Sequence, residues 1–319
     1  MKKALVTGGL GFIGSHLVDR LLADEWRVVV LDNLLTGHRS NLAKQKGNAL
    51  LNVIEGDIRN IETVSKCVEG CDAVFHFAAH ALMRASLRDH RADLDYNIVG
   101  TLNVLESMIE NSVPDFVFAS TSALYGEAEV TPTPETYSGI QTSLYGAAKL
   151  AGEGYASAFA EFSSLKVWAF RFGTVLGERC RRGAIWDFVH KLLTDPLELE
   201  ILGDGKQSKD YLFVRDCIDG VMLGYAKGSG RVNIFNLGLQ EQITVNELAD
   251  IVVKEMGLSG VRRKYTGGER GWVGDNKVVY LSTRKMRELG WKPGMSPPEA
   301  IRFTTRWTLQ EAKHRGESR

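Results

Sequence analysis

The chain has 319 residues, and its 39 lysines and arginines are balanced by 39 aspartates and glutamates. A chain without net charge has no overall electrostatic attraction to nucleic acid or to anionic membranes, so we expect neither as a partner. Hydrophobic residues make up 44% and charged residues 24%, as in ordinary globular proteins. The longest apolar runs, such as 28–31, are far too short to span a bilayer. These observations exclude fibrous, disordered and membrane-spanning classes.

The four cysteines are too few, in so long a chain, for a disulfide framework. Cys67 and Cys71 lie four residues apart, but no histidine cluster accompanies them, so we expect packed, reduced thiols and no metal site. The N-terminal sequence MKK resembles the start of a signal peptide, yet Gly8 and Gly9 interrupt any apolar segment behind it. We therefore expect a cytoplasmic protein.

Short apolar runs alternate with amphipathic segments through the first half of the chain. The pattern predicts strands at 4–6, 27–31, 51–55, 73–77, 116–119 and 167–170. Between the strands it predicts helices at about 13–22, 61–68, 93–111 and 144–162. Because strands that alternate with helices are joined by right-handed crossovers, we predict an α/β fold with a Rossmann-type, doubly wound and mostly parallel sheet.

After Gly173 the alternation becomes irregular. Helices are predicted at about 186–193 and 214–226, among short strands and turns, and 233–237 is predicted as one more strand of the main sheet. We expect most of this region to form a second, smaller α/β domain.

A glycine-rich turn, GGLGFIG, follows the first predicted strand and opens the first helix. Glycine allows the backbone to approach a pyrophosphate closely, and the helix N-terminus offers free N–H groups to it. The residues that we assign to dinucleotide binding here are Gly8, Gly11, Phe12, Ile13 and Gly14. Asp32 lies 18 residues beyond Gly14, at the end of the second strand, where a carboxylate accepts hydrogen bonds from an adenosine ribose. Asp32 favours NAD over NADP, although the nearby Arg39 keeps NADP open.

Tyr145 and Lys149 lie four residues apart, on one face of a predicted helix. A phenol with a pKa near 10 is a poor base at neutral pH, and an adjacent cation favours its ionised form. The hydroxyl-rich sequence Ser120-Thr121-Ser122 follows the preceding strand. Together these residues predict a proton-transfer site.

Further motifs accompany the turn and the Tyr145/Lys149 pair. They are Asp32-Asn33-Leu34, Gly56-Asp57-Ile58, His76-Phe77-Ala78-Ala79, Asn97 within YNIVGT, Ser120-Thr121 before Leu124-Tyr125-Gly126, and Gly203-Asp204-Gly205 before Lys209-Asp210-Tyr211. With these motifs nearly the whole chain resembles the extended short-chain dehydrogenase/reductases, specifically the NAD-dependent nucleotide-sugar epimerase/dehydratase group. The resemblance implies NAD as the cofactor and a nucleotide sugar as the substrate.

The resemblance also implies roles for individual residues. Besides the glycine-rich turn and Asp32, it assigns cofactor binding to Asn33, Asp57, Ile58, Phe77, Ala78, Ala79, Asn97 and Lys149. Thr121 is expected to hydrogen-bond the reacting sugar hydroxyl beside Tyr145, and both are expected to be catalytic together with Lys149. As a phenolate, Tyr145 is expected to take the proton of the C4 hydroxyl while a hydride passes to NAD⁺. Return of the hydride to the other face inverts C4.

The residues after Thr121 discriminate between reactions. Dehydratases of this group usually carry Asp-Glu there and decarboxylases Ser-Glu, whereas this chain has Ser122-Ala123. Because both the dehydration and the decarboxylation need a carboxylate at this place, the resemblance favours 4-epimerisation. Two alternatives stay open: a nucleotide-sugar dehydratase or reductase, and a catalytically silent NAD-binding regulator.

The later part of the chain carries the substrate cues. By the resemblance, we assign substrate binding to Thr121, Ser122, Thr174, Arg181, Lys209 and Arg270. Arg270 occupies the position of a diphosphate-binding arginine, and the guanidinium fork suits phosphate. Thr174 with Arg181 resembles UDP-glucuronate epimerases, in which these groups meet a carboxylate, but a solvated basic loop is an equally good interpretation of Arg181. Both UDP-glucose/UDP-galactose and UDP-glucuronate/UDP-galacturonate remain candidates.

The resemblance also predicts the domain boundaries and the oligomer. We expect an NAD-binding domain formed by residues 1–173 plus about 213–238. A nucleotide-sugar-binding domain is expected from about 174–212 plus 239–319. A homodimer is expected through the helices that contain Asn97 and Tyr145.

Overall fold

The structure is a computed structural model that describes residues 1–316. Its strands are β1 (Lys3–Thr7), β2 (Arg27–Asp32), β3 (Leu51–Glu55), β4 (Ala73–His76), β5 (Asp115–Thr121), β6 (Lys166–Phe172), β7 (Thr174–Leu176), β8 (Glu198–Ile201), β9 (Ser208–Lys209), β10 (Tyr211–Phe213), β11 (Val232–Leu237), β12 (Ile243–Thr244), β13 (Arg262–Tyr265) and β14 (Val278–Val279). Its α-helices are α1 (Phe12–Ala23), α2 (Ile61–Val68), α3 (Met83–Ser86), α4 (His90–Ala92), α5 (Gly100–Glu110), α6 (Leu144–Phe162), α7 (Ala184–Thr194), α8 (Val214–Lys227), α9 (Val245–Glu255), α10 (Arg284–Glu288) and α11 (Pro297–His314).

The main sheet has seven parallel strands in the order β11-β6-β5-β4-β1-β2-β3. The sequence order reverses at β1, because β2 and β4 pair with it on opposite sides. In this register Thr7, the last residue of β1, lies beside both Leu31 and His76. Open α/β sheets bind ligands at such a switch point, outside the carboxyl ends of the strands. The sheet confirms the predicted Rossmann-type α/β fold.

Helices on both faces explain why the central strands read as continuous apolar runs. Residues 28–31 of β2 are all buried, and Phe116 and Phe118 of β5 have no exposed surface. Val29, Leu31 and both phenylalanines pack in a core cluster that includes Leu5 of β1 and Met108 of α5. This core fixes the positions of the loops that leave the carboxyl ends of β1, β4 and β5.

The long helix predicted at 93–111 is not a continuous α-helix. Residues Asp93–Val99 form a π-helical segment, and α5 begins at Gly100. Apolar periodicity does not distinguish the two, because a π turn adds a single residue to an otherwise similar face. The wider turn allows Asn97 to bond Asp93 and the backbone of His80. Such turns are frequent at functional sites.

The chain divides into two compact units. The first consists of 1–124, 143–171 and 218–235, and the second of 125–142, 172–217 and 236–316. The segment 125–142 therefore lies in the second unit, whereas the expected boundaries assigned it to the first domain.

Backbone pairing with a distant part of the chain explains the placement of 125–142. The Thr133 N–H donates to the carbonyl of Tyr280 at 2.8 Å, and the Thr133 carbonyl accepts from Ser282 at 2.9 Å. The Tyr125 hydroxyl donates to Asn236 Oδ1 at 2.7 Å. These partners lie more than a hundred residues away in sequence, so local pattern could not reveal them.

The second unit contains three small sheets. Strand β7 pairs with β10 in parallel, β13 pairs with β8 in parallel, and β9 lies between β12 and β14. Helix α11 packs against α7 and α9. Because α11 carries Glu311 and Trp307, this packing brings both toward the loop before α7.

All four cysteines are buried free thiols. Within residues 1–316 no helix has the length and apolar character needed to cross a membrane. Over the same residues, no group of three or more His, Cys, Asp or Glu side chains is arranged to hold a metal ion.

Candidate active site

The glycine-rich turn forms a tight backbone cradle between β1 and α1. Gly8 has a φ of +69°, and a Cβ there would lie 2.6 Å from the Ala78 nitrogen. At Gly14 a Cβ would lie 2.2 Å from the Gly8 carbonyl oxygen. Gly11 caps α1 without a side chain, so no capping side chain takes the N–H groups that open the helix, at Phe12 and Ile13, and they can serve an anion. The cradle therefore fits a dinucleotide pyrophosphate.

Asp32 ends β2 beside this cradle. Its carboxylate accepts hydrogen bonds from the N–H groups of Leu10 at 2.9 Å and Leu34 at 2.8 Å. Burial raises the pKa of Asp32, and the two N–H donors oppose that shift. Arg39, which kept NADP open, pairs with Glu55. The carboxylate thus fixes two turns of the cradle, and its hydrogen bond to ribose stays a prediction.

Asn33 and Asp57 form a polar group after β2 and β3. Asn33 donates to Asp57 Oδ2 at 2.9 Å, and Arg59 donates to the same carboxylate through Nε and Nη2, both at 2.9 Å. The hydrogen bonds from Arg59 and Asn33 outweigh burial and lower the pKa of Asp57. Arg59 also lies 4.0 Å over the ring of Tyr96. Asp57, Arg59 and Asn60 line a cavity of about 420 Å³ with Asp95 and Val99.

The loop after β4 is held against the cradle by hydroxyl groups. Thr7 Oγ1 accepts from the Ala78 N–H at 3.1 Å and lies 2.7 Å from His76 Nδ1. Nε2 of His76 lies 3.0 Å from Thr101 Oγ1. Burial and the nearby Lys149 lower the pKa of His76 to about 3. A neutral, fully buried His76 fixes the loop that begins with Phe77.

Asn97 uses its whole amide to hold the chain that follows Ala79. Its Oδ1 accepts from the His80 N–H at 2.8 Å, and its Nδ2 donates to the His80 carbonyl and to Asp93 Oδ1, each at 2.8 Å. Both amide hydrogens are therefore engaged within the protein. This geometry favours a positioning role for Asn97 over the direct cofactor contact that the resemblance implied.

Helix α6 carries Tyr145 and Lys149 one turn apart and packs against β5, which ends at Thr121. Ser143 caps α6 by accepting from the Gly146 N–H at 3.0 Å. The Thr121 hydroxyl accepts from the Ala123 N–H at 3.1 Å, which turns the chain after β5. All three predicted catalytic residues thus lie in the first unit, on two elements that contact each other.

Lys149 is 1% exposed, and its ammonium lies 4.5 Å from the centre of the Phe118 ring. Burial lowers the pKa of Lys149 to about 7, although the charges of Glu153 and Asp93 oppose the shift. A buried ammonium that titrates near neutrality is poised to influence the ionisation of a neighbouring phenol.

No sequence motif pointed to Glu153 and Arg171, which form a buried ion pair. The Arg171 guanidinium bonds the Glu153 carboxylate through Nη2 at 2.6 Å and through Nε at 3.0 Å, and both residues are buried. The Ser120 hydroxyl also donates to Glu153. The available signal was the spacing, because Glu153 follows Lys149 by four residues on a face that is otherwise apolar.

The predicted substrate-binding cations of the second unit are all paired with carboxylates of this chain. Lys209 donates to Asp275 Oδ1 at 2.9 Å and to the Asn276 carbonyl. Arg270 pairs with Glu127 at 3.1 Å and is 38% exposed at its side chain. The part-buried Lys209 bond stabilises the turn before β14, whereas the more open Arg270 remains within reach of solvent.

Arg181 donates to Glu311 Oε1 at 2.8 Å and lies 5.4 Å over the Trp307 ring. The side chains of this ion pair are 12% and 18% exposed. Arg181 is therefore held by α11, and the solvated basic loop is the wrong interpretation. Thr174, the other uronate cue, begins β7 and is partly buried. Ser122 lies in the 3₁₀ turn after β5.

Comparison with known proteins agrees with this geometry. The family described as "NAD dependent epimerase/dehydratase family" matches residues 4–238. A UDP-glucose 4-epimerase of Lacticaseibacillus casei is 31% identical over 96% of each chain. The crystal structure of a UDP-glucose 4-epimerase from Thermotoga maritima, solved with UDP-glucose, is 33% identical and has a TM-score of 0.87 over 97% of this chain and 99% of that one.

Two further solved structures contain NAD. A UDP-glucuronic acid 4-epimerase from Bacillus cereus, in complex with UDP-glucuronic acid and NAD, is 27% identical with a TM-score of 0.89, over 97% of this chain and 99% of that one. A dTDP-glucose 4,6-dehydratase from Streptomyces venezuelae, with NAD bound, is 29% identical with a TM-score of 0.90 over 98% of each chain.

The fold and the site thus define a nucleotide-binding enzyme of the extended short-chain dehydrogenase/reductase class. The chain belongs to the NAD-dependent epimerase/dehydratase family. Its cofactor is NAD, as predicted, and the glycine cradle described above fits that cofactor.

Proposed function

We propose that the protein is a UDP-sugar 4-epimerase that interconverts UDP-glucose and UDP-galactose. The observation that carries the proposal is the buried Lys149 one helical turn from Tyr145, beside the strand that ends at Thr121. When bound, NAD supplies the oxidation of the C4 alcohol and the return of the same hydride.

The residues of the first unit suit the proton transfers of that reaction. Tyr145 as a phenolate takes the proton of the C4 hydroxyl and later gives it back. Lys149 stabilises the phenolate by its charge and binds the nicotinamide ribose. Thr121 orients the C4 hydroxyl toward Tyr145. His76 is neutral at working pH because of its burial, so it adds no competing charge to the site.

A dehydratase remains the nearest alternative reaction, since a dehydratase is among the similar structures. Elimination of water needs an acid and a base next to the sugar, and positions 122 and 123 provide Ser and Ala. We therefore expect no 4-keto-6-deoxy product.

A second candidate substrate pair is UDP-glucuronate and UDP-galacturonate. Thr174 with Arg181 supports it by resemblance, and a UDP-glucuronate 4-epimerase of Thermodesulfobacterium geofontis is 30% identical. The Arg181–Glu311 pair weighs against it, because Arg181 would have to exchange a carboxylate of its own chain for that of the sugar. This exchange is why we place the uncharged hexoses first.

Proton NMR of the purified protein with UDP-glucose and, separately, with UDP-glucuronate tests the proposal. No reductant is added, because the cofactor is regenerated in each cycle. We expect the C4 epimer of UDP-glucose to appear. Epimerisation of UDP-glucuronate alone would select the second candidate. A 4-keto-6-deoxy product, or no product despite bound NAD, would contradict 4-epimerisation of both pairs.

We also propose a homodimer and a cytoplasmic location. The π-helical segment and α6, which pack together, expose the apolar residues Leu94, Val99, Leu144, Leu150 and Tyr155. Exposed apolar surface of this kind marks interfaces. Sedimentation analysis should give twice the chain mass, and Val99→Asp should shift the protein to monomer. A wild-type monomer at micromolar concentration would contradict the dimer.

A further inference from the structure

Glu153 joins three elements through one buried carboxylate. It lies on α6, it is held by Arg171 of β6 at 2.6 Å, and it accepts the hydroxyl hydrogen of Ser120 of β5. The side chains of Arg171 and Glu153 are only 7% and 5% exposed. Ser120 immediately precedes Thr121, so the same carboxylate fixes the strand end that carries a predicted catalytic hydroxyl.

Simple packing does not account for this arrangement. Removing two charges from water costs so much free energy that well-packed apolar residues often stabilise a protein as much as a buried ion pair does. The network lies at the end of β5, next to the proton-transfer site, and not in the middle of the apolar core. A role in the site explains why charge is placed there.

The same carboxylate lies one helical turn from Lys149. Four residues of α-helix correspond to a rise of about 6 Å, whereas Tyr145 is two turns away from Glu153, about 12 Å. Burial lowers the pKa of Lys149, and Glu153 is the strongest of the charges that oppose this shift. Asp93 of the π-helical segment also opposes this shift, and Lys149 in turn contributes to the lowered pKa of His76 of β4, after burial.

Neither of the other two groups can replace Glu153. His76 is neutral, and Asp93 lies on the π-helical segment, so it does not join α6 to β5 and β6. Arg171 holds the Glu153 carboxylate in place, because breaking a buried pair leaves an uncompensated charge. Glu153 is thus the carboxylate that the fold fixes one helical turn from Lys149.

We propose that Glu153 is a positioning residue for the proton-transfer site, which fastens α6 to the ends of β5 and β6 and gives Lys149 its counter-charge. The inference rests on the proposed function, because it assigns Lys149 and Tyr145 to proton transfer.

The test compares Glu153→Gln with Glu153→Asp. Gln keeps the length and an acceptor for Ser120 but removes the charge, whereas Asp keeps the charge. Ultraviolet difference titration of tyrosinate, with Tyr145→Phe subtracted, follows the ionisation of Tyr145 without substrate. Turnover by NMR and thermal unfolding are measured on the same NAD-containing samples.

In Glu153→Gln we expect Tyr145 to ionise about one pH unit higher, because Lys149 loses its proton more readily, and turnover near neutral pH to fall about tenfold. Glu153→Asp should keep the wild-type titration even if its unfolding temperature falls equally. Unchanged Tyr145 titration in Glu153→Gln, or equal shifts in both variants, would overturn the proposal. If Glu153→Gln does not fold, Ser120→Ala takes its place, because it removes a hydrogen bond to Glu153 and keeps the carboxylate. Tyr145 should then titrate as in the wild type, and a shifted titration in Ser120→Ala would overturn the proposal.

Because the titration needs no turnover, the two proposals can fail separately. A shifted titration in a protein without epimerase activity would refute only the proposed reaction. Epimerase activity with no shift would refute only the role of Glu153.

Discussion

The cations of the two units differ in what neutralises them. In the first unit the carboxylates that act on Lys149 do so at a distance, because each bonds another group, Glu153 to Arg171 and Asp93 to Asn97. In the second unit the predicted substrate-binding cations are paired directly with acids of this chain. These pairs are Lys209 with Asp275, Arg181 with Glu311, and Arg270 with Glu127.

The difference means that the site of the first unit is preformed. In the second unit each cation must exchange its internal carboxylate for the substrate. The Lys149 side chain is buried and already in place, as electrostatic catalysis requires. A substrate anion that binds a cation of the second unit has to replace an internal carboxylate, which reduces the net gain in affinity. We therefore expect substitutions in the first unit to affect chemistry and those in the second to affect affinity.

The largest expected effect is that of Tyr145→Phe. It removes only the oxygen that transfers the proton, so turnover of UDP-glucose should fall by about 10²–10⁴. NAD should stay bound, because the cradle at Gly8 and Gly14 is untouched. NMR of the epimer and the absorbance of NAD released on denaturation measure the two quantities. Turnover within about threefold of wild type would remove Tyr145 from the mechanism.

The parts of the fold that follow from local pattern could be predicted. The structure has β3 at Leu51–Glu55, α2 at Ile61–Val68 and α6 at Leu144–Phe162, as the periodicity predicted. These elements are set by apolar spacing and by capping, which are local properties. The π-helical segment was missed, because apolar periodicity does not reveal its wider turn, and the bond of Asn97 that accompanies it goes to His80, 17 residues away.

The second prediction concerns Lys149→Met and the pH dependence of stability. The pKa of Lys149 is about 7 in the folded protein, below its ordinary 10.5. Between these values the unfolded chain binds more protons, so the free energy of unfolding of the wild type rises with pH. A methionine at this position has no charge to bury, so its contribution to the free energy of unfolding does not depend on pH.

Lys149→Met should therefore stabilise the NAD-free protein below about pH 7, by on the order of 3 kcal/mol. The gain should shrink as the pH rises from about 7 toward 10.5. Urea unfolding at about pH 6 and about pH 9 measures it, with the exposed Lys44→Met as the control. A pH-independent difference would show that Lys149 titrates normally.

Arg270→Ala tests the exchange in the second unit. Arg270 is the more open cation there, and a charge-assisted hydrogen bond to phosphate is worth about 1.5–3 kcal/mol. The KM for UDP-glucose should rise about tenfold or more, with kcat changed by less than about threefold. Glu127→Gln, the matched variant, should lower the KM or leave it unchanged, because it frees Arg270. A loss confined to kcat would place Arg270 in the chemistry.

The candidate site was predictable where one motif supplies both position and chemistry. The glycine turn and the Tyr145/Lys149 spacing belong to this class. The partners of Arg181 and Lys209 lie 130 and 66 residues away. A free arginine and one held by a distant carboxylate look identical in sequence, so the substrate cue could not be resolved there.

The smallest expected effect, and the one that discriminates the sugars, is that of Arg181→Ala. If the pair with Glu311 only fastens α11 to the loop before α7, UDP-glucose turnover should change by less than about threefold. Stability should fall by about 1 kcal/mol, as for a partly buried ion pair. Turnover of both nucleotide sugars and urea unfolding measure these quantities.

Glu311→Gln sharpens the same comparison. If Arg181 serves a sugar carboxylate, releasing it from Glu311 should lower the KM for UDP-glucuronate, while Arg181→Ala should raise that KM about tenfold or more. UDP-glucose should then respond to neither variant. Opposite effects of the two variants, seen with the uronate alone, would make Arg181 a specificity residue and UDP-glucuronate the substrate. If the two variants changed the KM of both sugars alike, the role of Arg181 would be to hold α11, because the charge of the substrate would then not compete with Glu311.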